Sequence, residues 1–131
     1  MKDVSVDKIL SSSEGENIAI ASAAVVYTKA FRMDKGEYFA LFYKATSAGT
    51  PGLKIELETS WTLPATEGAA DDNFVEAESL TDIEADLTTK TWHHKAITPP
   101  VCKYARLKIT GSGTNPADTV LNAKIAQQQE F

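Results

Sequence analysis

Two adjacent histidines, His93 and His94, are the residues here most readily read as metal ligands. Their spacing works against it. Neighbours in an extended segment point to opposite faces, so one strand cannot aim both imidazoles at one ion. A zinc site would need ligands from other strands, and Cys102 is the chain's one thiol. Surface or rim histidines are therefore the expectation. Asp82-x-Glu84-x-Asp86 has the opening spacing of a calcium loop. Such a loop needs glycine at its sixth position and a bidentate glutamate at its twelfth. Those positions hold Leu87 and His93. Asp71-Asp72-Asn73 offers further oxygen donors and reads as a solvated loop tip.

Nucleophilic chemistry finds no better footing. There is no Gly-x-Ser-x-Gly elbow, and the serines lie in polar runs with no histidine at a useful spacing. Cys102 reads as a small, half-buried residue at a strand end. Gly111-x-Gly113 has Pro116 where a dinucleotide loop carries its third glycine, and no helix follows. Glu56 and Glu58, two apart on a strand, share a face with Cα atoms roughly 7 Å apart. Retaining glycosidases hold their carboxyls about 5 Å apart, but such pairs come from different strands around a deep cleft. The expectation is no catalytic residue, no metal, no cofactor and no enzyme activity.

The totals narrow the class. A chain of 131 residues fits one domain. One cysteine forbids an intrachain disulfide and points to a reducing compartment. The segment from Met1 to Asp7 has no cationic region followed by an apolar core, so no signal peptide is expected. The apolar run Ile18 to Tyr27 is far short of the ~20 residues that a membrane span requires. A net charge of −5 argues against nucleic acid as partner. Between Lys54 and Lys90 there are ten acids and no base, whereas after Leu87 six bases face only Asp118 and Glu130. That asymmetry reads either as a solvated acidic face or as one copy's acidic middle meeting a neighbour's basic C-terminal third.

The elements that must position these residues are strands. Met1 to Asn17 is polar and Ser-rich, and reads as a flexible arm or an edge segment preceding a domain over 18–131. A first strand is expected within Ala23 to Phe31. After the turn Asp34-Lys35-Gly36, apolar residues fill both parities from Glu37 to Thr46, predicting a central strand covered on both faces. Leu53 to Trp61 alternates cleanly, with Leu53, Ile55, Leu57, Thr59 and Trp61 on one face. Its terminal Trp61 is expected in the core or at its rim. A long polar loop follows over Leu63 to Asn73, then a short strand over Phe74 to Ala77. Leu80 to Thr88 fits a helical turn or a strand. Thr91 to Ile97, Lys103 to Thr110 and Thr119 to Gln127 complete the set, with Ala105, Leu107 and Ile109 inward. Seven or eight strands, with no long amphipathic helices between them, predict a single-domain, all-β antiparallel sandwich resembling a jelly roll.

Tyr104-Ala105-Arg106-Leu107-Lys108-Ile109-Thr110-Gly111, then Asn115-Pro116 and Asp118-Thr119, form the late part of a broader pattern. With Phe39 to Lys44 and Ile55 to Ser60, the span Gly36 to Gln127 resembles small β-sandwich structural proteins of tailed bacteriophages. The resemblance implies a virion component, made in the host cytoplasm, that decorates or cements a capsid or joins head and tail. Its partners would be other virion proteins or further copies of itself. From charge, Arg106 and Lys108, outward on their strand, are the expected contact residues, opposite Glu56 and Glu58. Tyr-x-Arg-Leu followed by a glycine is similar also to late strands of carbohydrate-binding sandwiches. In that alternative an exposed aromatic platform, with Trp92 and Tyr104 as candidates, would grip a sugar.

Overall fold

The computed structural model describes residues 2–10, 18–34, 38–46, 52–82, 92–97, 102–111 and 119–130. Among them are ten strands and no helix, so none is long and apolar enough to cross a membrane. The strands are β1 (Lys2–Leu10), β2 (Ile18–Ala19), β3 (Val25–Tyr27), β4 (Phe31–Arg32), β5 (Tyr38–Thr46), β6 (Leu53–Ser60), β7 (Val75–Asp82), β8 (His93–Ile97), β9 (Tyr104–Gly111) and β10 (Val120–Glu130). They form two antiparallel sheets, ordered β1-β10-β5-β8 and β3-β9-β6-β7. β2 continues β1 along β10, and β4 continues β3 along β9. Counting each such pair as one position leaves eight. Their order, 1-8-3-6 over 2-7-4-5, is that of a double-sheet jelly roll.

The core follows from period-two alternation. In β6, Leu53, Ile55 and Leu57 turn inward; in β9, Ala105, Leu107 and Ile109 do so; in β10, Leu121, Ala123 and Ile125. Phe39, Leu41, Tyr43 and Ala45 bring β5 into the same cluster. β5 lies centrally in its sheet, as expected, but only one of its faces is covered: Phe42, on the other, is 36% exposed. The aromatic density of this strand reflects a decorated outer surface as well as a core.

Departures from the expected elements have local causes. The first strand is split. Ala24 N–H donates to the Ala21 carbonyl at 3.1 Å across a turn in which Ala23 takes φ 55°, so pairing starts only at Val25. At Thr28 the chain leaves the ladder. Its buried hydroxyl accepts the Leu107 N–H at 2.9 Å in place of a strand carbonyl, and pairing resumes at Phe31. Over 2–10 the edge-segment reading describes the chain, because β1 pairs with β10 from Lys2↔Glu130 to Leu10↔Ala123. The rest of the expected arm, 11–17, lies outside the described residues. β7 runs from Val75 to Asp82, which assigns 80–82 to strand. Residues 83–90, including Glu84 and Asp86, lie outside the description, as do Gly113 and Pro116.

Candidate functional site

The outer face of the second sheet holds the charges that sequence analysis placed at a contact between molecules. β6 and β9 bring them opposite one another within a single chain: Glu56 is in register with Lys108, and Glu58 with Arg106. Arg106 points away from the core as its parity requires, yet it is only 1% exposed. Its Nε donates to Glu58 Oε1 at 2.9 Å, and a terminal nitrogen donates to the Ala69 carbonyl at 2.7 Å. Tyr27 and Phe74 lie against the guanidinium, with ring centroids 4.2 and 4.3 Å away. The expected exposed contact at Arg106 is thus corrected. The arginine anchors the 61–74 segment over its own sheet, and Glu58 is its intrachain partner.

The same segment is tied down at further points. Asp71 accepts from Ala65 N–H at 3.0 Å and from Asn73 N–H at 2.9 Å. These two backbone bonds hold its carboxyl below the usual range, so both of its oxygens serve the loop. Glu67 accepts the Ala30 N–H at 3.3 Å. Glu56, 7% exposed, is likewise no open contact residue. Burial, then a hydrogen bond and repulsion from Glu76, push its carboxyl up, against the pull of Lys54 at 3.9 Å and of Lys108.

Where β6 ends, Ser60 Oγ accepts the Thr62 N–H at 3.1 Å. This short turn breaks the alternation one residue before Trp61, which swings out to 69% exposure and not into the core or its rim. Val75, at the start of β7, is 61% exposed. Together with Thr59, Ser60, Asn73 and Cys102, Trp61 and Val75 line an open cavity of about 180 Å³. Burial first, with the Asp34 carboxylate adding to it, pushes the Cys102 thiol up, so the thiolate needed for nucleophilic attack is disfavoured.

The outer face of the first sheet carries a second aromatic group. Trp92, just before β8, is 45% exposed and has Lys124 Nζ 5.1 Å and Lys44 Nζ 5.7 Å from its ring centroid. Phe42 and His94, register partners on β5 and β8, stack at 5.8 Å. His93 and His94 are consecutive in β8, and His94 lies on its outer face beside Phe42. Among the described residues no three His, Cys, Asp or Glu side chains converge as a metal set.

The structure does not join Trp92 and Tyr104 into one platform. Tyr104 lies on β9 of the other sheet, half-buried, with Arg32 and Lys103 at 5.7 and 5.6 Å from its ring. Arg32 is itself held by Asp34 at 2.6 and 2.9 Å. Strand alternation alone does not reveal the exposed Trp61 and Val75 surface. A serine closing an alternating run, followed by a large apolar residue and then a proline, was the signal available. No family model and no curated protein matches the chain, so functional inference rests on the fold and these surfaces.

Proposed function

We propose that this chain is a non-enzymatic structural protein of a phage-type particle, a capsid decoration or cement protein or a head–tail component, acting through protein–protein assembly. The observation that carries the reading is the exposure of Trp61 and Val75 around a small cavity at the base of the β6–β7 connection. Exposed large side chains gathered at a depression mark an interaction site, and tryptophan is the side chain most enriched among residues that dominate protein interfaces. A cavity of about 180 Å³ is smaller than most small-molecule pockets, which run from roughly 300 Å³ upward. It suits one side chain of a partner.

Support comes also from the resemblance over Gly36 to Gln127 and from the jelly-roll order of the sheets, an arrangement used by viral capsid and lectin domains alike. Fold alone does not choose between those two uses. The separation of Trp92 from Tyr104 removes the two-ring platform on which the sugar alternative relied. The test is density-gradient sedimentation of particles from the producing culture, with mass spectrometry of the particle band. The chain is expected in that band in fixed proportion to the major shell protein, and Trp61→Ala is expected to be depleted from it. Recovery of the wild-type chain only as free protein would overturn the reading.

A further inference from the structure

The two outer faces of the sandwich differ in charge. On the outer side of the first sheet, the described side chains of β5, β8 and β10 include Lys44 and Lys124 and no acid. On the second, Glu67, Asp72 and Glu76 expose their carboxylates along the 61–74 segment and β7, while Lys54 and Lys108 lie on the neighbouring β6 and β9. Arg106 points outward but is buried beneath the 61–74 segment, so it offers no positive charge to solvent. This contrast is not the one between the middle and the C-terminal third, because Lys44 precedes the acidic middle and Arg106 and Lys108 lie beside Glu58 and Glu56.

The basic side is also organised to receive a partner. The Trp92 ring reaches two ammonium groups, on β5 and on β10, and the Phe42–His94 stack spans β5 and β8. A cation held against a ring face is attracted to it, so the two ammonium groups hold the indole in place before any partner arrives. Ordering that precedes binding lowers the entropy lost on association. A large, fixed aromatic ringed by cations suits a surface with carboxylates around a less polar centre.

We propose that the Trp92 face of one copy receives the carboxylate-rich outer side of β7 and the 61–74 segment of a second copy. This inference rests on the assembly reading above and names its partner. Because the two surfaces differ and lie on opposite faces of the sandwich, the contact is heterologous. Copies joined this way close into a ring or continue as an open filament, whereas a two-fold pair would use one patch twice.

The test uses the full chain in size-exclusion chromatography coupled to light scattering, at low and at high salt. Wild type is expected to self-associate at low salt and to loosen as salt rises. Lys44→Glu with Lys124→Glu, and separately Asp72→Lys with Glu76→Lys, should each weaken association about tenfold or more. Mixing the two reversed variants should restore association, which a merely misfolded variant cannot do. Trp92→Ala should weaken association at both salt concentrations. The inference is overturned by a wild type that stays monomeric at low salt, by reversed variants that associate like wild type, or by a mixture no tighter than its components. None of these outcomes bears on recovery of the chain in particles, so the two proposals fail separately.

Discussion

Arg106 and Glu58, 48 residues apart in sequence, meet at 2.9 Å on the outer side of the second sheet, and the arginine is 99% shielded from solvent by its own chain. Its shield is the 61–74 segment, which it also holds through the Ala69 carbonyl. An ion pair buried in this way contributes little net stability compared with an apolar substitute, but removing one partner leaves the other charge stranded.

Arg106→Ala is therefore expected to destabilise the chain by about 3–5 kcal/mol. Arg106→Lys keeps the charge and loses the planar contacts with Tyr27 and Phe74, so about 1–2 kcal/mol is expected. Urea unfolding measures both. Limited proteolysis should show cleavage within 61–74 first in the alanine variant. Equal stability of the alanine variant and wild type would remove the anchor role.

Thr28 supports a prediction that separates shape from hydrogen bonding. Thr28→Val preserves the volume and leaves the buried Leu107 N–H without its acceptor, a loss of about 1–3 kcal/mol. Thr28→Ser should retain most of the stability. If valine matches threonine in urea unfolding, the hydroxyl is not the acceptor that matters.

Glu56 sets a pH dependence of definite sign. Its folded carboxyl binds a proton more tightly than the unfolded one, chiefly through burial and then through Glu76. Between the two pKa values the folded state holds more protons, so stability falls as pH rises through that window. Glu56→Gln removes the effect. The variant should be more stable than wild type at neutral pH, with the difference shrinking to nothing in acid below the ordinary carboxylate range. A difference that is constant with pH would rule out this linkage.

Removal of residues 1–10 tests what β1 does. If it were only an arm reaching a neighbour, the shortened chain would fold normally and assemble less. In the sheet described here its loss uncovers most of one edge of β10, from Ala123 to Glu130. Unpaired edges of that length promote association between chains. The truncated chain is expected to aggregate in a salt-insensitive manner, as read by light scattering, and a stable monomer would contradict this.

Much of the fold was legible because it rests on alternation, which sequence displays directly. Leu53, Ile55 and Leu57 against Lys54, Glu56 and Glu58 give β6 and its two faces without further information. Outer faces are harder, because what covers them arrives from elsewhere in the chain. The parity of Arg106 was read correctly, but its burial depends on where a polar loop lands, and loop composition does not encode that. Trp61 fails for the opposite reason: the pattern includes it, while a serine hydroxyl ends the strand just before it. Glu56 and Glu58 were matched to the right cations on the wrong premise, since complementary charge says which groups attract but not whether they share a chain.

The pairing of Lys2 with Glu130 has a mechanical meaning. These two residues sit at the same end of the β1–β10 ladder, so a force that draws them apart loads one backbone pair at a time and opens the ladder like a zipper. A force between Leu10 and Glu130 would instead load all the pairs together in shear. A shell under internal pressure that used this protein as a clasp would stay closed only by pulling on its faces, because a tether through its two ends would unfasten it.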